Sequence, residues 1–377
     1  MKLKRLVLLF FMLTVVIIVI GALSSCDKSD LTDGTDDYIS SHETKEEASK
    51  NSKTDIDNET DTKVSSTPDS EPELELSEEE KWNANSSKGL TFRSNRDGTC
   101  YVSGIGTCKD TNIIIPTKSP QNDLVVSIGN FAFHNCDSIV SVVIPDSVTS
   151  IGEHSFSACD FLANLPIGEN IKSIGEGAFN NCCNLTSVVI PDSVISIGNN
   201  AFSYCTGLTD VTLGNNLKSL GNFVFAQCNQ LTSIVIPDSV TSMGHSVFSD
   251  CTNLKSATIG NGVTRLTTTF MNCTKLENVT IGNSVNAVID SAFRNCIGLK
   301  SVTLPDSVTS IGYFVFGGCT NLTNVKMGDR ITSIGEGAFN GCTKLTTINF
   351  AGTQAQWEAI SKKDAKIPLR VNINCGK

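Results

Sequence analysis

Fifteen cysteines are the residues of this 377-residue chain whose type and spacing suggest chemistry. Ten of them recur at a 23-residue interval, which shortens by one position between Cys251 and Cys273. Repeated thiols can form disulfides or bind metal ions. Thiols stacked at strand spacing point the same way, which is poor disulfide geometry, so we expect buried, small, apolar side chains in preference to a metal or redox ladder. We call these ten residues the cysteine column: Cys136, Cys159, Cys182, Cys205, Cys228, Cys251, Cys273, Cys296, Cys319 and Cys342.

Cys26 lies at the end of a segment that predicts export of the chain. A basic start at residues 2–5 precedes an apolar stretch at 6–20, which is the pattern of a secretory signal. The following Leu-Ser-Ser-Cys is similar to a bacterial lipobox, whose cysteine is diacylated and becomes the new N-terminus. Cys26 is therefore the predicted lipidation site, and 1–26 the predicted lipoprotein signal peptide. The alternative is an uncleaved transmembrane anchor, because 6–23 approaches the length that spans a bilayer.

The four cysteines outside these two groups are Cys100, Cys108, Cys183 and Cys375. Cys100 and Cys108 flank a predicted hairpin. In an oxidising compartment they form either a disulfide across that hairpin or two free thiols, and the sequence leaves both possibilities open.

Acidic charge is concentrated in one segment of the chain. Residues 27–81 hold 19 acidic and 6 basic residues, a net charge of −13, whereas the chain from residue 82 onward is neutral. This segment has a single aromatic residue and scattered apolar ones, so it cannot bury enough surface to fold. We predict a disordered acidic tether over 27–87 that holds the remaining chain away from a membrane. The overall charge of −10 argues against a nucleic-acid partner, which requires a basic face.

The other residues that perform catalysis in enzymes form no recognisable site. The four histidines are far apart, and the recurring aspartates stand in Pro-Asp-Ser segments that are ordinary turns. A stacked Ca²⁺ site is the alternative for these aspartates. No phosphate loop, nucleophile elbow or zinc motif is present. We therefore expect neither an enzyme nor a cofactor or metal site. The residues concerned are His42, His134, His154, His245, Asp146, Asp192, Asp238 and Asp306.

The cysteine spacing belongs to a repeated structural unit, a 23-residue coil. A Phe stands three residues before each column cysteine and a Leu or Ile three residues after it. In the coil that starts at Cys182, Leu185 to Ile190 alternates as a short strand, 191–193 turns, and 194–197 is a second extended piece. The segment 200–205 is predicted to form a single helical or 3₁₀ turn. One such coil cannot bury its apolar face alone, so neighbouring coils must stack with parallel strands.

These repeats, of the form x-V-T-S-I-G-x-x-A-F-x-x-C-x-x-L-x-x-V-x-I-P-x-S, resemble the leucine-rich-repeat family, and specifically its BspA-like or Treponema-type subclass. The likeness covers 123–350, about ten coils. It implies an α/β-type solenoid dominated by β structure, right-handed, with stacked parallel strands and short helical turns. Members of that family are mostly bacterial surface or secreted proteins that are often implicated in adhesion. The motif residues are structural, so no binding residue carries over.

Solenoids need closed ends, and both ends of this array depart from the repeat. Residues 88–122 predict an N-terminal β-hairpin cap. Residues 351–377 predict a C-terminal cap, with a helix at 354–360 and a last strand at 369–373. The shortened interval predicts a local bend or bulge near 264–290, for which simple drift within a tolerant repeat is the alternative.

The sequence predicts a non-catalytic binding or adhesion protein, extracytoplasmic, lipid-anchored to the bacterial cell membrane and exposed at the surface. The expected partners are the membrane, through the anchor, and an extracellular or host protein or glycan. The predicted binding face consists of the outward strand positions of the coils, such as Thr186, Ser187 and Val189, and Thr232, Ser233 and Val235. We expect a monomer. The alternative is a structural or self-associating scaffold of the cell envelope.

Overall fold

The computed structural model describes residues 76–376. The predicted signal peptide, Cys26 and the tether up to residue 75 lie outside the described residues. Among 76–376, no helix is both long and apolar enough to cross a membrane.

The chain winds into a β-solenoid of about twelve turns, in which most coils contribute to two sets of strands, the second of which is divided into four short sheets. We call the first set the serine strands, because most of them carry an outward serine. Their bounds are β1 Thr91–Ser94, β2 Thr99–Gly104, β4 Leu124–Ile128, β6 Ser150–Ile151, β7 Ser173–Ile174, β9 Ser196–Ile197, β11 Ser219–Leu220, β13 Ser242–Met243, β15 Arg265–Thr267, β17 Ala287–Ile289, β19 Ser310–Ile311 and β21 Ser333–Ile334.

The second set follows the repeat leucine, and we call its members the leucine-side strands. Their bounds are β3 Asn112–Ile114, β5 Ser141–Val143, β8 Ser187–Val189, β10 Asp210–Thr212, β12 Ser233–Ile236, β14 Ser256–Ile259, β16 Asn278–Thr280, β18 Ser301–Thr303, β20 Asn324–Met327, β22 Thr347–Phe350 and β23 Asn372–Cys375. Equivalent residues of successive coils pair in register, as Val188 does with Val211. The predicted stacking of parallel strands is confirmed.

Burial alternates along the leucine-side strands, as a half-buried strand requires. In β12 the residues Ile234 and Ile236 are buried while Ser233 and Val235 are exposed. The alternating apolar residues predicted from the sequence therefore line the core, and the residues between them face solvent.

The repeat phenylalanines form one continuous stack along the core. All ten are buried, and successive ring centroids lie 4.9–5.7 Å apart with planes inclined by 3–19°. Each ring covers the ring of the next coil, so a coil buries its aromatic residue only when it has neighbours. The ten are Phe133, Phe156, Phe179, Phe202, Phe225, Phe248, Phe270, Phe293, Phe316 and Phe339.

The third side of each coil is a series of turns, which differs from the predicted helical turn. In the coil of Phe202, residues 199–204 are turn residues, and Asn200 and Tyr204 have φ of 55° and 60°. The N–H groups of Asn200, Phe202 and Tyr204 donate to carbonyls of the next coil. The left-handed residues two positions before and after the phenylalanine turn the backbone so that these N–H groups point along the solenoid axis, and the hydrogen bonds run between coils and not within a helix.

The two ends of the described chain depart from the repeat, and at the N-terminal end helical structure begins before the predicted cap. β1 and β2 form an antiparallel hairpin that continues the serine strands. Helix α1, Glu78–Asn85, lies inside the stretch predicted as tether, and Ser77 and Glu80 cap its N-terminus reciprocally. The Trp82 indole donates to the Ile115 carbonyl, which ties the helix to the first coil. At the C-terminus, helix α2, Gln354–Ala359, precedes β23.

The shortened interval coincides with an interruption of the serine-strand sheet. Strands β1 to β13 form one eight-stranded sheet, and β15 to β21 form a separate four-stranded one. Thr267 and Ile289 stand where other coils have glycine, and Asp290 and Ser291 after them are consecutive left-handed residues. The irregularity predicted for 264–290 thus has two parts. The serine-strand ladder is broken before β15, at the start of this segment, and the backbone is distorted at Asp290 and Ser291, at its end.

Candidate binding faces

The outward face of the leucine-side strands is an extended polar surface. Its residues alternate with buried ones in every coil, so two parallel rows face solvent along the solenoid. One row holds small hydroxyl or amide residues, such as Ser187, Ser233 and Ser301, with Asp210 among them. The other row mixes valine and threonine before it reaches Lys326, and its Val189 and Val235 are each 62% exposed. The structure therefore places the residues predicted for binding on one accessible face.

Part of this face is occupied by hydrogen bonds between coils. The hydroxyl of Thr209 donates to the Thr186 carbonyl at 3.0 Å, and Thr323 and Thr346 repeat the arrangement at 3.0 and 3.1 Å. These threonines stabilise the stack. Because they already have partners, the residues available to a ligand are the two rows beside them.

The cysteine column is buried from Cys159 onward, as predicted, whereas Cys136 at its N-terminal end is half-buried, and the buried thiols are also hydrogen-bond donors. Each thiol from Cys159 onward donates to the carbonyl of the repeat phenylalanine in the preceding coil, at 3.0–3.2 Å. Burial raises the pKa of Cys159, Cys205 and Cys251 to about 12 and moves the pKa of Cys182 and Cys228 in the same direction. Since thiolates are the species that bind metals and react, this column does neither readily.

Cys100 and Cys108 are both buried free thiols. The Cys100 thiol donates to the Asp123 carbonyl at 3.5 Å, toward the neighbouring strand and not across the hairpin. Of the two possibilities that the sequence left open, the structure shows free thiols.

The histidines of the repeats lie in ring contacts instead of a catalytic cluster. His154 stacks on the exposed ring of Phe131 at 5.2 Å, and His245 meets the ring of Phe223 edge-on at 4.7 Å. Over the described part of the chain, no three side chains among His, Cys, Asp and Glu come together as a metal site would require.

The turn aspartates cap the next coil. Asp192 Oδ1 accepts the Asn215 N–H at 2.6 Å, and Asp238 Oδ1 accepts the Asn261 N–H at 2.7 Å. These two carboxylates thereby satisfy a backbone donor of the Gly-led turn in the next coil. This is a structural role.

Sequence reasoning missed a shallow groove at the N-terminal end of the solenoid. Its volume is about 920 Å³, and it lies where the hairpin meets the serine strands. Arg93 of β1 pairs with Tyr101 of β2, and Tyr101 pairs with Ser127 of β4, so the three side chains share one face. Only the pairing register brings them together. An antiparallel hairpin was predicted, but the opposing residues could not be, because both pairings contain a register shift.

Comparison with known proteins identifies the repeat. The family model described as the BspA type leucine rich repeat region matches in six copies, over 107–188, 173–269 and 264–363. A comparison with curated proteins finds no match.

Solved structures of bacterial leucine-rich-repeat proteins are similar to this chain. A protein from Bacteroides ovatus is 24% identical, with 77% of this chain and 98% of that chain covered and a TM-score of 0.42. A leucine rich cell surface protein from Faecalibacterium prausnitzii is 27% identical, covering 75% and 97%, with a TM-score of 0.39. A leucine-rich-repeat protein of T. pallidum is 25% identical, covering 56% and 88%, with a TM-score of 0.43.

Proposed function

The chain belongs to the BspA-type leucine-rich-repeat family, and from that premise we propose that it is a non-catalytic binding protein displayed on the outer surface of a bacterial cell. The observation that supports this most directly is the outward face of the leucine-side strands. It extends over the whole stack, and the residues that the repeat specifies are buried beneath it. The residues that differ from coil to coil are therefore the ones that a ligand would contact.

We further propose that Cys26 carries the lipid and that the acidic segment after it is a spacer. The segment from residue 27 to helix α1 is about 50 residues long and strongly acidic. As a random coil it spans ~40 Å, and charge repulsion extends it further. This reach lifts the solenoid clear of a membrane surface.

Protease treatment of intact cells tests the location. Wild-type protein should be acylated, retained in the membrane fraction and degraded by added protease. Cys26→Ala should lose the lipid mass and the membrane retention, whereas Cys375→Ala, at the far end of the chain, should keep both. Retention of an unprocessed Cys26→Ala protein would indicate a transmembrane anchor instead. Protection of the wild-type protein from protease would contradict surface display.

Binding to extracellular partners tests the face. Full-length protein in detergent should bind at least one immobilised matrix protein or glycan. Val189→Arg together with Val235→Arg places two charges on the outward row and should weaken that binding at least tenfold. Tyr204→Arg, on the turn side of the coil, is the matched control and should bind like wild type. Equal loss in both variants, or no binding by wild type, would contradict the assignment.

Open strand edges at both ends favour a second candidate, a self-associating scaffold. β1 and β23 are the terminal strands of their sheets within 76–376, and an unpaired strand edge can recruit another chain. Light scattering distinguishes the two functions, since a scaffold grows with concentration and a monomeric binding protein does not.

A further inference from the structure

We propose that the N-terminal groove is a binding site for an acidic saccharide, with Arg93 holding the carboxylate and Tyr101 supporting a sugar ring. The inference deepens the proposed surface-binding function and rests on it. It names a site and a ligand class that the family match does not provide.

The groove has one charge and it is positive. Arg93 is the only charged residue among those that line it. The guanidinium has no hydrogen-bond or ion-pair partner within 76–376, so its fork of donors is available. Glu153 lies beside the lining, and its carboxylate accepts from the amide of Asn130 at 3.3 Å. A planar guanidinium binds a carboxylate through two parallel hydrogen bonds, which favours an anionic ligand here.

Tyr101 is held in place beside Arg93. Its ring packs against the backbone of Gly129 so closely that a Cβ at position 129 would lie 2.6 Å from the ring. The ring is therefore fixed, and it lines the groove together with Ser127 and Ser150. A fixed aromatic ring costs little conformational entropy when a ligand packs on it. Its hydroxyl is unpartnered in the described structure and both donates and accepts.

The floor of the groove continues as a row of hydroxyl groups. From Tyr101 the pairing register runs through the outward serines of the serine strands as far as β13, one per coil. In the described chain none of these hydroxyls has a hydrogen-bond partner. Strands β2, β4 and β6, which form the floor, are paired on both sides, so an acidic peptide could extend only the free edge of β1 and not the floor. A saccharide, rich in hydroxyls that donate and accept, matches this surface better. The row is Ser127, Ser150, Ser173, Ser196, Ser219 and Ser242.

The test measures binding of hexagalacturonate to the full-length protein in detergent, with the carboxyl-reduced neutral oligomer as the comparison ligand. Wild type should bind the acidic oligomer more tightly than the reduced one, and added salt should weaken only the acidic complex. Arg93→Gln should lose about tenfold or more in affinity for the acidic oligomer and little for the reduced one. Arg96→Gln, in the turn of the same hairpin and outside the groove, should stay within about twofold of wild type.

Two further variants separate the ring from the hydroxyl row. Tyr101→Leu should weaken both oligomers. Ser150→Val removes a hydroxyl and suits a strand, and it should weaken both oligomers to a smaller extent. It replaces Tyr101→Leu as the test if circular dichroism shows that Tyr101→Leu is unfolded.

Equal affinity of Arg93→Gln and Arg96→Gln for the acidic oligomer would overturn the site. The site would also be overturned if wild type bound the acidic and reduced oligomers equally, or bound neither. The same holds if wild type bound polyglutamate as tightly as the acidic oligomer and through the same residues. The location and face experiments above are independent: a protein that is surface-exposed and binds a matrix protein, yet no acidic saccharide, keeps the proposed function and loses this site.

Discussion

Each buried thiol of the cysteine column donates to a phenylalanine carbonyl one coil away, and this places a small donor where a larger residue would not fit. Val or Ala in this position would leave the carbonyl without that donor. The column thus contributes to the stack through hydrogen bonds as well as packing. The sequence showed that the residue had to be small and apolar, but the bond to the preceding coil depends on the winding of the chain.

The raised pKa values predict a loss of stability at alkaline pH. Burial holds the thiols of Cys205 and Cys251 neutral to a pKa of about 12, whereas in the unfolded chain they ionise near 9. Above pH 9 the unfolded state binds fewer protons than the folded state, so the free energy of unfolding falls as pH rises. Each such thiol contributes a slope of about 1.4 kcal/mol per pH unit. Urea denaturation between pH 7 and 11 measures the total slope.

Two variants separate the contribution of the thiols to this slope from the contribution of lysine and tyrosine side chains, which also titrate at alkaline pH. Cys228→Val should reduce the alkaline slope by one proton while lowering stability at pH 7 by about 1 kcal/mol. Leu254→Val, a buried residue without a titrating group, should lower stability and leave the slope unchanged. The same slope in all three proteins would show that the column does not govern alkaline unfolding.

Each repeat phenylalanine has a residue with left-handed backbone two positions before it and another two positions after it. This predicts how substitutions between glycine and alanine at these positions change the free energy of unfolding. Ala158 has φ of 56° and Gly341, two residues after its own phenylalanine, has φ of 75°. An L-residue pays about 1–2 kcal/mol in this region, partly offset by the greater chain entropy of glycine. Ala158→Gly should therefore raise the free energy of unfolding by about 0.5–1 kcal/mol, and Gly341→Ala should lower it by a similar amount.

Thermal and urea denaturation measure both substitutions. Gly341→Ala is a clean reverse test, because the nearest heavy atom to its added Cβ would be 3.4 Å away, an ordinary contact. Destabilisation by Ala158→Gly would mean that the methyl group packs well enough to outweigh the backbone strain.

Among the elements, the turns that follow the leucine-side strands show where the repeat requires glycine. A Cβ on Gly214 would lie 2.5 Å from the Pro191 carbonyl oxygen, so a Gly-led turn fits against the Pro-Asp-Ser turn before it. A Cβ on Gly168 would meet nothing closer than 3.8 Å. Gly214→Ala should therefore lower the free energy of unfolding by about 1–3 kcal/mol, and Gly168→Ala should change it by no more than about 0.5 kcal/mol. Equal effects in urea denaturation would show that the close approach of the turns is not what requires glycine.

The elements also show what sequence alone could predict. The constant repeat period and the alternation of apolar residues predicted both ladders, since each inward residue is repeated in every coil. Helix α1 was missed because its first turn, Glu78–Glu80, is as acidic as the tether before it. Its signals were the capping pair Ser77 and Glu80 and the aromatic Trp82, which docks on the first coil. The groove at Arg93 could not be predicted, because a register shift sets which residues of the hairpin face each other.

For the whole molecule, the interrupted serine-strand sheet divides the stack into two blocks. In the coils before the break, a Cβ on the glycine after each serine strand would lie within about 3 Å of the preceding coil, at 2.7 Å for Gly175 and 2.6 Å for Gly198. Thr267 carries a side chain at that position, and the serine-strand sheet stops between β13 and β15. The phenylalanine stack continues across the break, with 5.7 Å between the rings of Phe248 and Phe270. The two blocks therefore share a core and the leucine-side sheet β12–β14–β16, and lack only a common serine-strand ladder.

In a repeat array stability is a sum of coil terms and nearest-neighbour terms, so a weakened interface lets the blocks unfold separately. Phe316→Leu removes one stacked ring from the C-terminal block and should cost about 1–3 kcal/mol there. Hydrogen exchange in mild denaturant should then speed up mainly over 265–350, while Phe179→Leu should speed exchange mainly over 124–243. Because the two phenylalanines have the same surroundings in their own blocks, each variant is the control for the other. Equal acceleration along the whole solenoid in both variants would mean that the shared core and the leucine-side sheet couple the two blocks fully, and that the break in the serine-strand ladder has no energetic consequence.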